Sequence, residues 1–518
     1  MSAMNANQTI DAARLDQDLK LSADVVIVGT GAGGGFAAET LSRAGLKVVM
    51  LEAGNYNTAA TFSQNEGVSF PMLYQQGGAQ RTKDKAISVF QGRSVGGTTV
   101  VNWTSSFRTP HQTLAHWSER YGVPDISVEQ MAPYFEEVEQ RLSITPWESF
   151  PPNENNAALA RGCEKLGYSH SRMKRNVRGC ANTGLCGLGC PINAKQSMLV
   201  TTVPAALEHG ATLVYRVRVE RIVHDGKRAS GVVGVAYAEN GTDKTTRRVE
   251  VSARHVVAAA GSIRTPGLLM RSEVPDPSGM TGQRTFLHPV SGVLAIMPDT
   301  VDGWRGAPQS TYSDHFLWPE DDRIGFKLET TPLQPVFAIA LFDKSLGTQH
   351  GDYVRKFRNL HSEIALLRDG FDERAPGGSV ELGEDGEEVL DYPVTDYVQE
   401  GFLRGLETMI DVQFAAGAES VIPWHSAAQP LHSPAEARTW LAGRARGVQY
   451  GSAHVMGGAL MGAEAGGSVV DPYGRHHSLA GLSVIDGSIF PTSIGANPQE
   501  SIYGFSLRNA RKLAEDLA

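Results

Sequence analysis

Cysteine is scarce in this chain, with 4 in 518 residues, far too few to staple a fold of this length with disulfides. No run of 18 consecutive apolar residues occurs, which excludes a spanning helix of ordinary length. Basic residues are the minority: 47 Lys+Arg stand against 56 Asp+Glu, a formal charge of −9. Without a cationic excess the chain cannot displace counterions from a nucleic acid, so nucleic acid is not an expected partner. The opening stretch, MSAMNANQTIDAARLDQDLKLSAD, is polar and lacks the charged-then-apolar order of a secretion signal. The expectation is a cytoplasmic protein, with peripheral contact at the inner membrane left open.

What is present is a globular composition, 41% hydrophobic and 20% charged, with chain enough for two or three domains. Glycine is abundant at 56 residues, and its clusters carry the first motif. The run DVVIVG (24–29) reads as a buried parallel strand. It is followed by Gly-Thr-Gly-Ala-Gly-Gly-Gly, a helical stretch broken at Gly45, and a second apolar run, VVMLE, ending in Glu52. Gly29, Gly31 and Gly34 fill the G-x-G-x-x-G positions. The first glycine makes the turn, the second admits a pyrophosphate, and the third lets helix meet strand. Glu52 closes the second strand, where a carboxylate accepts hydrogen bonds from ribose hydroxyls. A bound dinucleotide is expected.

Further strands are expected over 211–223 and 231–237, and over HVVAAAG (255–261), whose final glycine again permits close approach to a ligand. The acidic section SVELGEDGEEVLDY (379–392) reads as a solvated turn and face. Cys180, Cys186 and Cys190 form C-x5-C-x3-C in a glycine-rich loop, GCANTGLCGLGCPINAKQ. Flexible backbone there lets thiolates converge, and Pro191 after the last cysteine has the form of a ferredoxin run. A zinc site would want a fourth ligand, and none is obvious nearby. Free or disulfide-paired loop cysteines are the alternative. Cys163 reads as a buried apolar thiol, and His288, His476 and His477 as ordinary structural histidines.

Four blocks in order give a resemblance to the glucose–methanol–choline (GMC) oxidoreductases. They are DVVIVGTGAGGGFAAETL…VVMLEAG, GRSVGGTTVVNWTSSFRTP (92–110), GSIRTPGLLMRS (261–272), and SAHVMGGALMG (452–462) continuing through DPYGR, LSVIDGSIFPT and GANPQESI. The resemblance implies a mixed α/β and α+β fold: a Rossmann-like FAD-binding domain interleaved with a substrate domain on a large, mainly antiparallel sheet. The expected segments are 1–110 (first FAD-binding part), 111–194 (connecting and substrate region with the cysteine loop), 195–290 (second FAD-binding part), 291–440 (substrate domain) and 441–518 (FAD-binding and catalytic end).

Carried over by position, Gly29, Gly31, Gly34 and Glu52 would hold the ADP half of FAD. Gly96, Gly97, Thr98 and Asn102 would lie against flavin and pyrophosphate. Val219 would meet adenine through its backbone, with Ala260 and Gly261 walling that pocket. Asp486 and Gly487 would face the ribityl and phosphate region, and Asn497 and Pro498 the isoalloxazine edge.

The resemblance also assigns a catalytic pair, His454 and Asn497, with Glu329 as a further candidate on a substrate-domain strand. Oxidising an alcohol removes a hydride from carbon and a proton from oxygen. A histidine of near-neutral pKa suits the proton, and a neighbouring amide orients the hydroxyl. The cysteine loop is similar to one in FAD-dependent glucose dehydrogenases that carries a [3Fe–4S] cluster. Similar loops also occur in long-chain alcohol oxidases of the family. The expected activity is FAD-dependent oxidation of a hydrophobic or long-chain primary alcohol, with electrons passed to an acceptor other than NAD; a cluster, where the loop carries one, would relay them to a cytochrome or quinone. The alternatives are an O2-using oxidase, a sugar or polyol dehydrogenase, and a flavin-retaining hydroxynitrile-type lyase.

Overall fold

The apolar run at 24–29 folds as the end of a longer strand, Leu19–Val28, whose last four side chains are buried. The computed structural model describes residues 8–340, 347–444 and 446–518, so residues 1–7 of the polar N-terminal stretch lie outside it. Alternate side chains of the strand go to opposite faces. Val25 and Ile27 pack with Phe36 and Leu41 of helix Ala32–Arg43, while Val26 and Val28 pack on the other side with Val219 and Ile222. A strand covered on both faces has no polar side, which is why its sequence reads as an unbroken apolar run. The helix stops at Ala44, next to Gly45 at φ 86°, as its sequence anticipates.

The first sheet runs in the order Thr9–Asp11, Thr212–Tyr215, Val48–Glu52, Leu19–Val28, Lys244–Ala258, Ala229–Tyr237, Val217–His224. The first five are parallel and the last three form an antiparallel meander; Leu482–Val484 adds in parallel to the end of Lys244–Ala258. The single strand expected over 211–223 is therefore two. Arg216, at φ 59°, breaks it so that one piece joins the parallel sheet and the other leaves for the meander.

The second sheet orders Ile87–Val89, Tyr450–Ser452, Val290–Ile296, Leu360–Leu367, Phe326–Thr330, Thr311–Ser313 and Ser171–Arg172, with Ser420–Pro423 also on Val290–Ile296. All its pairs are antiparallel except the first. Helix Asp396–Ala416 covers one face, burying Phe402, Leu406 and Met409 against Val293, Leu328 and Ala365. The period-2 rule then sends Lys327, Glu329, Ile364 and Leu366 to the opposite face. The architecture is thus two-domain: a Rossmann-like α/β sheet beside a second, mainly antiparallel sheet.

The acidic section at 379–392 is a hairpin, Ser379–Leu382 with Glu388–Asp391. Its tip is exposed as expected, but the Glu388 side chain is only 1% exposed and pairs with Arg264 and Arg271. The reading of that stretch as wholly solvated is corrected: charge density alone does not show which carboxylate finds arginines on another element. Among the described residues no helix is long and apolar enough to cross a membrane.

Candidate active site

The carboxyl ends of Leu19–Val28, Val48–Glu52 and Lys244–Ala258 open into one cleft of about 380 Å³, closed on its far side by the second sheet. In parallel sheets this is where ligands bind. Gly29, Gly31, Glu52, Gly97, Thr98 and Asn102 line it. Gly29 is left-handed, φ 99°, and a Cβ there would stand 2.4 Å from the Ala259 carbonyl oxygen. A Cβ on Gly34 would lie 2.0 Å from the Gly29 carbonyl oxygen, so Gly34 serves the helix–strand contact and does not reach the cleft. Gly31 and Gly97 pass so closely that a Cβ on Gly97 would come within 2.7 Å of Gly31 Cα. Gly31 itself meets nothing nearer than 3.8 Å.

Glu52 is tied to the chain on both oxygens. Its Oε2 accepts from the backbone N–H (3.0 Å) and hydroxyl (2.7 Å) of Thr30, and its Oε1 from Gly54 N–H (2.8 Å). Thr30 Oγ1 also accepts from Gly96 N–H at 3.0 Å. Gly96, off the cleft wall, thus links the second glycine-rich loop to the first. Asp486 is similarly occupied: it accepts from Gly261 N–H and Thr265 Oγ1 on one oxygen and from Ser488 on the other. Both carboxylates set the loops around the cleft as well as lining it.

Val219, Ala260, Gly261, Gly487, Asn497 and Pro498 line the same cleft. Beside Val219 the ladder is bulged, its pairing shifting between Val219 and Arg221. Pro498 caps helix Gln499–Leu517, whose positive N-terminal end therefore faces the cleft.

The second sheet brings Glu329 to the cleft from strand Phe326–Thr330. Its Oε2 accepts from Gln309 Nε2 (2.7 Å) and Asn497 Nδ2 (3.1 Å). Among the described residues, Glu329 Oε1, Asn497 Oδ1 and Asn102 Oδ1 are all buried without a partner. Such atoms cost about 1–3 kcal/mol each when left unpaired, which marks this end of the cleft as the place where a hydrogen-bonding group would sit. Burial raises the Glu329 carboxyl above the usual range, against the opposing pull of the Lys327 ammonium and the two amides. Lys327 is fully buried, its Nζ 3.4 Å from the Phe107 ring centroid and 4.0 Å from that of Tyr312. Burial brings that ammonium down to about 8.

His454 follows strand Tyr450–Ser452 and lines the cleft. Burial, reinforced by Lys327, pushes its imidazole down to about 4. The near-neutral pKa expected of it is corrected: at pH 7 it is a neutral ring that can accept a proton. Its Nδ1 lies 3.1 Å from Nδ1 of His288. His288 carries no signal in the sequence, because its partner is 166 residues away. Gln309, which anchors Glu329, is likewise unmarked.

The cysteine loop forms part of the cleft wall. Gly184, Gly187 and Leu188 line it, and Tyr74 Oη donates to Gly187 O at 2.8 Å. Cys180, Cys186 and Cys190 are free, and among the described residues no group of three His, Cys, Asp or Glu could hold a metal ion. Each sulfur instead accepts from a local donor: Asn182 N–H, Arg175 Nη2 and Lys195 N–H respectively. Burial raises the Cys180 thiol above its ordinary value. The expected metal set of Cys180, Cys186 and Cys190 is unsupported, since its spacing brings the loop together without making a donor cage.

Family profiles described as GMC oxidoreductase match residues 70–290 and 376–506. The chain belongs to the GMC oxidoreductase family. It is 31% identical to the long-chain-alcohol oxidase FAO4B of Arabidopsis thaliana over 98% of this chain and 70% of that protein. It is 32% identical to an uncharacterised GMC-type oxidoreductase of Mycobacterium tuberculosis over 96% of this chain and 78% of the other. Its fold is that of a formate oxidase from Aspergillus oryzae, with a TM-score of 0.71 at 16% identity over 97% of this chain and 100% of that one.

This GMC oxidoreductase is therefore an FAD-dependent enzyme acting on CH–OH groups. Its cleft fits the cofactor on its own evidence: the closely spaced Gly31 and Gly97 leave room for a pyrophosphate at a helix start, and unpartnered amide and carboxyl oxygens stand ready at the other end.

Proposed function

We propose that the protein oxidises hydrophobic, long-chain primary alcohols to aldehydes and uses O2 as the electron acceptor, releasing H2O2. The observation that carries the substrate class is the lining of the cleft on the second sheet. Val290, Ile364, Leu366, Trp424 and Val455 present apolar surface beside Glu329, Asn497 and His454. An alkyl chain gains about 0.8 kcal/mol for each methylene it buries on such a surface, whereas a sugar would leave its hydroxyls unpaired there. The resemblance to long-chain-alcohol oxidases supports both the chain and the acceptor. Relay through a cluster to a cytochrome or quinone finds no support, because the loop cysteines make no donor cage among the described residues.

FAD, when bound, supplies the two-electron acceptor for the hydride leaving the alcohol carbon. Gly29, Gly31 and Glu52 would hold its ADP half; Gly97, Thr98, Asn102, Asp486, Gly487 and Pro498 would bracket the remainder, with Val219, Ala260 and Gly261 at the adenine. His454 accepts the hydroxyl proton at Nε2. Asn497 has a second N–H with which to hold the substrate oxygen, and Glu329 fixes that amide through its Oε2. The hydroxyl is thereby oriented by groups from both sheets, which is where much of the rate advantage of a fixed geometry arises.

Oxygen uptake and H2O2 release, measured with primary alcohols of increasing chain length and with glucose, test this reading. Stoichiometric peroxide with long-chain alcohols and none with glucose is expected. Turnover that needs an artificial acceptor, or a preference for glucose, would contradict it.

A further inference from the structure

We propose that His288 is a positioning residue: it accepts a hydrogen bond from Nδ1–H of His454 and so leaves the Nε2 lone pair of His454 facing the cleft. The inference rests on His454 being the proton acceptor and adds what makes it one. Two ring nitrogens 3.1 Å apart share a single proton, one donating and the other accepting. The rings lie nearly parallel, 27° apart, with centroids at 5.2 Å.

The structure holds His288 for this contact and for nothing else visible in the site. The residue is fully buried, does not line the cleft, and its Nε2 has no partner among the described residues. Its backbone is left-handed, φ 47°, a conformation that a non-glycine residue adopts only at a cost. That strain is held by Asp369, whose Oδ1 accepts from His288 N–H and whose Oδ2 accepts from Leu287 N–H, each at 3.0 Å. Tyr392 Oη braces the same carboxylate at 2.8 Å. A buried carboxylate, a tyrosine and a strained backbone thus fix one imidazole against another.

Two proton arrangements are possible, and they differ in chemistry. If His288 donates, His454 carries its proton on Nε2 and presents a donor to the cleft. If His454 donates, its Nε2 is an acceptor. Only the second can take the proton of an alcohol: the O–H bond breaks, an Nε2–H bond forms, and the hydride pair leaves the carbon for the flavin. As positive charge develops on His454, the Nδ1–H···Nδ1 bond becomes charge-assisted and roughly doubles in strength. The gain therefore falls in the transition state, where it accelerates the step. Lys327, close to both rings, opposes a second proton on the pair at rest.

Imidazole ¹⁵N resonances of the holoenzyme, with His454 assigned through H454Q, read the tautomer directly. His454 is expected to carry its proton on Nδ1; a proton on Nε2 would overturn the proposal. In parallel, H288A is expected to keep its FAD yet bleach about a hundredfold more slowly with alcohol under anaerobic conditions. H288N should recover most of that rate, because Asn tolerates the left-handed backbone and places an acceptor oxygen where Nδ1 stood. Wild-type bleaching by H288A, or no recovery in a folded, yellow H288N, would overturn it as well. If H454A bleaches normally, the proton-acceptor reading fails, while the tautomer still decides the hydrogen bond.

Discussion

Glu329 Oε2 accepts a hydrogen bond from Asn497 Nδ2 at 3.1 Å across a separation of 168 residues. The contact joins the second sheet to the loop that opens the last helix of the Rossmann-like half. It gives the cleft-lining amide a fixed orientation, and Gln309 holds the same oxygen from a third segment.

Replacing Asn497 with Leu should therefore slow alcohol-driven flavin bleaching about a hundredfold, with FAD content unchanged. Stopped-flow absorbance after anaerobic mixing reads the rate, and the ratio of flavin to protein absorbance reads the content. A rate within about twofold of wild type would remove Asn497 from the reaction.

The pH dependence has a definite sign. Burial lowers His454, His361 and His255 to about 4 and His288 well below its ordinary 6.5. A histidine kept neutral in the fold contributes stability that is fully present above 6.5 and lost as pH falls towards 4, because the unfolded chain then binds more protons. H361Q, which removes one of these groups, should therefore lose less melting temperature between pH 6.5 and pH 4 than the wild type does. The bleaching rate should stay flat down through pH 6.5, since His454 remains unprotonated there. An inflection near 6.5 in the bleaching rate would contradict the environment described for His454.

Glu363 is buried on the helix-covered face of the second sheet, and neither carboxyl oxygen has a partner among the described residues. Burial raises its pKa well above the ordinary 4.5. The unfolded chain loses this proton more readily, so stability drains away as pH rises above 4.5. E363Q should raise the melting temperature at about pH 8 and much less near pH 4.5. Equal shifts at both values would show that ionisation is not the cause.

Glu388 binds Arg264 Nη1 at 2.6 Å and Arg271 Nη1, and Arg218 lies 3.7 Å away. All four line the cleft beside Val219 and Gly261. E388Q would leave Arg264 and Arg271 at that wall without their carboxylate, while Arg218 keeps Glu387, and should speed FAD loss about tenfold. Free-flavin fluorescence after dilution measures the release, and an unchanged rate would sever the link between hairpin and cofactor.

Much of the nucleotide side was legible because its requirements are local. Gly29, Gly31, Gly34 and Glu52 lie on one strand–helix–strand unit, so spacing alone places them. The placement of His454 and Asn497 on the cleft was legible only through family likeness, and that of His288 beside His454 not at all, since the contact spans 166 residues. The cysteine loop was open to two readings, cluster ligands or free thiols, and the first is unsupported: among the described residues no three donors could hold a metal ion, and spacing along the chain does not decide ligation. Glu388 was hidden by its acidic neighbours, since burial is a property of tertiary packing and not of charge density.

The most direct measurement is anaerobic mixing of the yellow holoenzyme with a long-chain primary alcohol, wild type beside H454A, followed at the flavin absorbance maximum. Full bleaching in the wild type and persistent colour in H454A is the expected result. A wild-type enzyme that stays yellow, or an H454A variant that bleaches at the same rate, would contradict an alcohol oxidation that begins with proton transfer to His454.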